Sequence, residues 1–598
     1  MSATEPQAQA DAWLQKLAAA TEAGDAAAAA ALFAADSYWR DLVAFSWNIK
    51  TFEGRDAIAT MLAATLPAAR PSQWRIDGPA SVADGVTQVW FTFETAAGHG
   101  RGLLRLKDGL CWTLLTTLQG LTGHEEKRGR TRPQGIVHGG IQHGPNWQER
   151  RTAEEAALGS TVQPYVVVIG GGQGGIALGA RLKRLGVPAI VIEKNPRPGD
   201  SWRNRYRSLV LHDPVWYDHL PYLPFPEHWP VFAPKDQIGD WLEAYVKIME
   251  INYWGSSEVT AARFDDAAGE WTVQVTRAGT PCTLRPKHLV FATGAYGPPN
   301  EVTPPGAETF RGEQYHSSRY QSGAPYAGKN CVVVGSNSSA HDICADLWEH
   351  DAKVTMLQRS PTLVVKSETL MQFGFKDLYS EDALAQGITT DVADLLFASM
   401  PFRLMPDGQR KMYEAIAAHD APFYDALRRA GFLLDWGEDG SGLMMKALRT
   451  GSGYYIDVGA SDLIIRGEVA VRAPVSIDRL TPEGLILSDG SQIAADLIVY
   501  ATGYRSMHEN AAKIISRQVA DSVGPCWGIG SGVYRDPGPW QGELRNLWKP
   551  TAQPNLWFQG GNLHLSRHYS QFLALQLKAR LEGIPTPVHA APAPLTPA

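Results

Sequence analysis

Residues 165–193 read YVVVIGGGQGGIALGARLKRLGVPAIVIE, and this stretch decides the fold. Tyr165–Ile169 is an unbroken apolar, largely β-branched run, the pattern of a parallel strand buried on both faces. A glycine cluster follows, Gly170-Gly171-Gly172-Gln173-Gly174-Gly175. Ile176–Leu185 then reads as a helix and Ala189–Glu193 as a second strand, which makes a βαβ unit. Gly170, Gly172 and Gly175 fill the G-x-G-x-x-G positions: a tight turn, close approach of a pyrophosphate, and close packing of helix on strand. The helix N-terminus offers free N–H groups and a positive dipole end to phosphates. Glu193, about 20 residues on at the end of the second strand, can accept hydrogen bonds from ribose hydroxyls. A glycine-rich turn without a ligand is the competing reading. Strand, loop, helix, strand and acid in this order speak against it.

A second unit lies at Asn330–Val334, Ala340–Glu349 and Lys353–Gln358. Its loop is Gly335-Ser336-Asn337-Ser338-Ser339-Ala340. Gly335, Asn337 and Ser338 are the candidate contacts there. Asn337 replaces the middle glycine and Ala340 the last. Asn tolerates positive φ better than most residues, and Ala is accepted in the third place. No acid ends the following strand, which reads Gln358-Arg359-Ser360. Arg359 can pair with a 2′-phosphate, favouring NADPH over NADH; the alternative is an ordinary surface arginine.

Working outward, 598 residues predict three or four domains at roughly 100–200 residues each. Hydrophobic residues at 44% and charged residues at 20% exclude a disordered chain, a collagen or a coiled coil. A net charge of −7 suggests no nucleic-acid surface, and no apolar run is long enough to span a membrane. Five widely spaced cysteines without CxxC speak against a disulfide framework or a metal site and fit a reducing cytosol. Residues 8–34 read as helix. Gln73–Ile76, Thr87–Thr95, Gly102–Lys107 and Cys111–Leu118 read as strands, so 1–123 is expected to be a small α+β domain. Residues 124–162 are charged, then rich in Gly and His, and read as a linker. Two halves are expected after it: 163–325 with 501–584, and 326–500 with a helical cap at about 366–460. The Pro/Ala tail 585–598 reads as disordered.

Between the loops, Phe310-Arg311-Gly312-Glu313-Gln314-Tyr315-His316-Ser317-Ser318-Arg319-Tyr320 matches F-x-G-x-x-x-H-x-x-x-(Y/F). This resembles the identifying motif of class B flavin-dependent monooxygenases. The final Tyr resembles the flavin-containing monooxygenases more than their Baeyer–Villiger relatives. Gly199-Asp200-Ser201-Trp202 is similar to the family's G-G-x-W segment, and Ala292-Thr293-Gly294 and Ala501-Thr502-Gly503 to its two A-T-G linkers. Residues 209–226, LVLHDPVWYDHLPYLPFP, resemble the indole-3-pyruvate branch. The N-terminal extension resembles a nuclear-transport-factor-2-like cone, as in type II bacterial members that accept NADH as well as NADPH.

The resemblance implies an α/β fold: two Rossmann-like domains, for FAD and NADPH, behind a small α+β cone domain. It implies a cytoplasmic homodimer acting on a small-molecule substrate and O₂ through a C4a-(hydro)peroxyflavin. The products expected are those of sulfide, amine or ketone oxygenation, including Baeyer–Villiger oxidation of small cyclic ketones. The alternatives are oxidative decarboxylation of the indole-3-pyruvate type, or NAD(P)H oxidase or reductase activity without oxygen transfer. Trp202 is expected near the flavin ring, and Gly561 and Asn562 at a helix start beside it. His212 and Asp213 stand where many flavin-containing monooxygenases have an Asn near C4a. His316 is a catalytic candidate or a structural linchpin between the dinucleotide domains. In the cone, Trp39, Trp47, Trp74 and Trp90 could line a pocket with Asp41 as acid or base; the competing reading is a packing module.

Overall fold

The computed structural model of the chain describes residues 4–135, 142–294 and 297–595. Residues 136–141 of the Gly/His stretch and 596–598 of the tail lie outside the described residues.

Helices Thr4–Glu22, Ala26–Ala30 and Arg55–Ala69 pack on a curved seven-stranded sheet. Its path runs Ile49–Glu53, Phe33–Leu42, Leu110–Leu121, Gly98–Lys107, Val86–Glu94, Ser72–Ile76, with Ser81–Ala83 beside Val86–Glu94. Thr87, Val89, Phe91 and Phe93 alternate inward, the period of a half-buried strand. The helix read over 8–34 is two helices, Thr4–Glu22 and Ala26–Ala30, and its last two residues open the strand Phe33–Leu42, which the sequence reading did not mark. That strand pairs in parallel with Leu110–Leu121, a long-range contact that outweighs the local propensity of its alanines.

Two five-stranded parallel sheets follow, each stitched from distant segments. The first runs Tyr253–Trp254, Ala189–Ile192, Val166–Ile169, His288–Phe291, Leu556–Phe558. The second runs Glu313–His316, Leu497–Tyr500, Asn330–Val334, Lys353–Leu357, Val469–Arg472. Val166–Ile169 is buried throughout, as expected of a central parallel strand. In each sheet the chain moves off to one side of the strand that opens the βαβ unit and later returns on the other. The crevice at that switch point, outside the carboxyl ends, is where such sheets bind ligands. Glu313–His316, which the sequence places in the first half, is hydrogen-bonded into the second sheet beside Leu497–Tyr500.

The core is continuous where it matters for the site. One apolar cluster joins the N-terminal domain, the first parallel sheet and the helix Leu563–Leu581 with cap residues Leu395, Ala398 and Phe402. The second sheet has separate clusters. The cap spans helices Ser367–Leu370 to Gly442–Thr450, bracketed by the parallel pair Leu363–Lys366 and Tyr454–Asp457. The segment read as linker contains a helix, Trp147–Ala157, started by a capping box between Asn146 and Glu149. The tail, expected to be disordered, has no helix or strand over 585–595 but is tied down. Asn48 donates to the carbonyls of His589 and Ala590, and the His589 amide donates to Ser46. Its few polar backbone groups find partners on a preformed surface, which composition alone does not register.

Candidate active site

The two loops are built alike. Gly170 has φ +106°, and a Cβ there would lie 2.3 Å from the Ala292 carbonyl oxygen. Gly335 has φ +126°, with a Cβ 2.6 Å from the Ala501 oxygen. Each first glycine is thus pressed against the A-T-G linker across its switch point, and only glycine fits. A Cβ on Gly175 would lie 1.9 Å from the Gly170 oxygen, the close helix–strand packing the spacing implies. Gly172 differs: its Cβ would meet only Ser201, at 3.5 Å. Nothing in the protein requires glycine there; the space in front of helix Gln173–Arg184 is left clear for a bound group.

Glu193 ends the next strand, nearly buried, and its Oε2 accepts from the Gly171 amide at 2.7 Å. Oε1 accepts from the Asn195 amide and side chain, at 2.9 and 2.7 Å. The carboxylate therefore locks the loop and keeps a lone pair on Oε2 for a hydroxyl donor. Trp202 is half-buried on helix Asp200–Arg203, next to the Ser201 that faces Gly172. Gly561 and Asn562 start helix Leu563–Leu581: Gln173 Nε2 donates to the Gly561 carbonyl at 3.4 Å, and Asn562 caps through the Leu565 amide. Two helix N-termini, 173 and 563, therefore converge on one crevice, brought together from opposite ends of the fold.

The second crevice is looser. Asn337 is extended, at φ −95° and ψ −172°, like Gly172 at φ −79° and ψ −168°. Tolerance of positive φ, the reason expected for Asn, is not what admits it; the middle position is extended in both loops. Thr362 donates to its side-chain oxygen at 3.3 Å, and Ser338 Oγ donates to the Tyr454 carbonyl at 3.2 Å. Arg359 stands exposed past the carboxyl end of Lys353–Leu357, with no hydrogen bond or ion pair among the described residues.

His212 and Asp213 face different ways. His212 Nε2 lies 3.4 Å from Asp342 Oδ1, on the first turns of the helix behind the second loop, and Tyr206 donates to Asp342 Oδ2 at 2.5 Å. Burial opposes a charge on His212, but Asp342 beside it raises its pKa overall. Asp213 is half-buried, and its carboxylate has no hydrogen bond among the described residues. Burial pushes it up to about 6, against the pull of His212. Asp213 lies within electrostatic reach of Tyr217, whose hydroxyl accepts from Asn562 Nδ2 at 3.3 Å.

His316 is buried and fully engaged. The Ser318 amide donates to Nδ1 at 3.1 Å, so Nε2 carries the proton and donates to the Gly503 carbonyl at 2.9 Å. It anchors the second A-T-G linker and has no ring nitrogen left for a ligand. In the cone, Asp41 accepts from the Phe45 and Ser46 amides and from the Ser46 and Thr116 hydroxyls. It ties a buried turn. Trp39, Phe45, Trp74 and Phe93 pack ring on ring in the interior, and Trp90 lies outside under Arg101. The pocket these residues suggested is filled by aromatic packing.

The sequence did not single out one buried cluster. Asp394 in the cap accepts both arms of Arg567, at 2.9 and 2.8 Å, and the Tyr379 hydroxyl at 3.0 Å. Burial would raise this carboxyl, yet Arg567 and His564 hold it well below the usual range. His564 stacks on Tyr217, with ring centroids 4.3 Å apart. The available signal was His564, Arg567 and His568 spaced three and four apart at the start of an otherwise buried helix. A cavity of about 850 Å³ lies elsewhere, at the amino ends of Asn330–Val334 and Lys353–Leu357, away from both crevices.

Residues 167–372 match the family described as pyridine nucleotide-disulphide oxidoreductase, and residues 14–113 the SnoaL-like domain. The five cysteines are all free. Indole-3-pyruvate monooxygenase YUCCA1 of Oryza sativa subsp. japonica is 32% identical over 360 residues, 60% of this chain and 79% of the relative. Probable indole-3-pyruvate monooxygenase YUCCA10 of Arabidopsis thaliana is 30% identical over 349 residues, 58% of this chain and 82% of the relative. Cyclohexanone monooxygenase in its open crystal structure shares the fold, at TM-score 0.50 and 20% identity over 70% of this chain and 88% of that one. With the two loops, the A-T-G linkers and these relatives in place, the chain belongs to the flavin-dependent monooxygenases that include the indole-3-pyruvate enzymes, and it carries a SnoaL-like domain in front.

Proposed function

We propose that the chain binds FAD in the first crevice and NAD(P)H in the second, and oxygenates a small organic substrate where the crevices meet. The observation that carries this is the clear space at Gly172 before a helix N-terminus, beside a Glu193 with a lone pair to spare. FAD, when bound and reduced by the nicotinamide, supplies the oxygen chemistry. The chain's own residues bind, orient and exclude water. The amides at the N-termini of helices 173–184 and 563–581 favour anionic groups, and the half-buried Asp213 holds or releases a proton. Sulfides, amines and ketones are the substrate classes proposed. Oxidation of a 2-oxo acid of the indole-3-pyruvate kind is the second reading, supported by the relatives and by residues 209–226. Product analysis with a sulfide, a small cyclic ketone and indole-3-pyruvate, alongside NADPH and O₂ consumption, tests it. Consumption that ends only in hydrogen peroxide with all of them overturns the proposal.

Asp213 gives a pH signature. With its folded value raised to about 6, the neutral form is favoured by folding. That contribution to stability is present below the ordinary carboxyl value near 4 and is lost as pH rises through about 6. Activity that uses Asp213 is expected to inflect near pH 6, and Asp213→Asn to erase the inflection. An inflection that persists in the variant removes Asp213 from the reaction. We also assign the 2′-phosphate to Arg359. Arg359→Ala is expected to raise KM for NADPH about tenfold or more, the value of one charge-assisted contact, and leave NADH nearly unchanged. Equal effects on both nucleotides exclude the assignment.

A further inference from the structure

The N-terminal domain reaches the candidate site through one helix of the cap. Arg40 is 1% exposed, and its guanidinium is bidentate to Glu543 at 2.7 and 2.6 Å. It also donates to the Ala398 carbonyl at 2.5 Å and to the Tyr569 hydroxyl at 3.1 Å. Arg105, on another strand of the same sheet, donates to the Ser399 hydroxyl at 2.7 Å and to its carbonyl at 3.3 Å. Ala398 and Ser399 are the last residue and the C-cap of helix Thr390–Ala398. Two arginines from one domain thus meet the carbonyl end of a helix in another, where cations are favoured by unsatisfied carbonyls and by the dipole.

The other end of that helix and its middle face the opposite way. His219 Nε2 lies 3.1 Å from the Thr390 hydroxyl. Asp394 holds Arg567, and Arg567 donates in turn to the carbonyls of Tyr217 and His219, at 2.8 and 2.7 Å. Tyr217 is fixed a second time by stacking on His564 and a third time by Asn562. The turn carrying Asp213 is therefore held by groups whose own position depends on helix 390–398. The links Arg40–Ala398, Asp394–Arg567 and Arg567–Tyr217 are buried, and with helix 390–398 between them the path is continuous from Arg40 to Tyr217.

We propose that the N-terminal domain is a clamp on the oxygenation site: Arg40 and Arg105 fix helix 390–398, and Asp394 is a positioning residue for the 213–219 turn. The inference rests on the proposed function in placing that turn at the flavin crevice. A domain kept only for bulk stability would need Arg40 and Glu543 as a pair, but would not need Arg40 to hold the Ala398 carbonyl.

The double variant Arg40→Met/Glu543→Met removes the Ala398 contact together with both charges of the pair, so that neither charge is left unpaired. Amide hydrogen exchange of the full-length protein as isolated is the primary readout, since it does not depend on turnover. At least tenfold faster exchange is expected at residues 390–400 and 213–219, with the remainder of the first parallel sheet unchanged. Where oxygenated product forms, the share of NADPH oxidation lost to hydrogen peroxide is expected to rise severalfold, with KM for NADPH unchanged. Ser399→Ala, a minimal change that removes one Arg105 contact, is expected to give a smaller rise at the same two segments. Exchange at 213–219 unchanged in both variants overturns the clamp. An unproductive wild-type enzyme would overturn the proposed function while leaving the exchange result to decide the clamp.

Discussion

Gly172→Val is expected to yield a folded but colourless protein. A Cβ at this position would meet only Ser201 at 3.5 Å, and the backbone is extended there, so the fold has no quarrel with a side chain. The isopropyl group instead occupies the space before the helix Gln173–Arg184, where a pyrophosphate would approach the backbone. Affinity for FAD is expected to fall at least about 100-fold, each factor of ten being about 1.4 kcal/mol. Thermal melting and near-UV dichroism report the fold, and visible flavin absorbance after gel filtration reports the cofactor. A variant as yellow as the parent would show that FAD does not bind at this loop. The same exchange at Gly175 is expected to fail differently, because its Cβ would lie 1.9 Å from the Gly170 oxygen and the βαβ unit itself would be forced apart.

Removal of residues 1–123 is expected to leave no soluble flavoprotein. Glu543 is 2% exposed, and truncation strips it of Arg40 and of the Thr51 hydroxyl at 2.7 Å. Once its cover is gone water reaches the carboxylate, so the lost partners alone cost little. The larger loss is the core, since the apolar cluster is shared between this domain, the first parallel sheet and helix 563–581. Expression of residues 124–598 followed by sedimentation and flavin quantitation checks this. A soluble, yellow fragment would make the domain an accessory module and contradict the shared core.

The two dinucleotide crevices were legible because their chemistry is local. A buried strand, a glycine turn and a helix start lie within about thirty residues in a βαβ unit, and the turn must leave room for phosphate whatever surrounds it. Glu193 and Arg359 follow from the same geometry at the ends of the next strands. The linchpin reading of His316 was also accessible, since a motif spanning Phe310 to Tyr320 has a fixed frame. The Asp394–Arg567 cluster was not. Its members come from a cap helix and a C-terminal helix 173 residues apart, and no periodicity relates them. The choice between pocket and packing at Trp39 and Trp74 stayed open for a related reason. Aromatic residues at strand spacing can line a pocket or fill it, and only the opposing sheet face decides which. The strand Phe33–Leu42 was hidden by its alanine-rich approach, and Asn337 was explained by a backbone angle that the loop does not use.

The bonds of Arg40 have a temporal meaning as well as a spatial one. Its partners Glu543 and Tyr569 lie 503 and 529 residues downstream, and the carbonyl of Ala590 that receives Asn48 lies 542 residues from it. At roughly 5–20 residues per second, a ribosome takes about 25–100 s to supply them. Through that interval a guanidinium destined for the interior waits in water on a sheet whose own strands all lie before residue 122. The N-terminal domain is thus completed only after helix 563–581 has been made, and until then it lacks the partners that bury its charges.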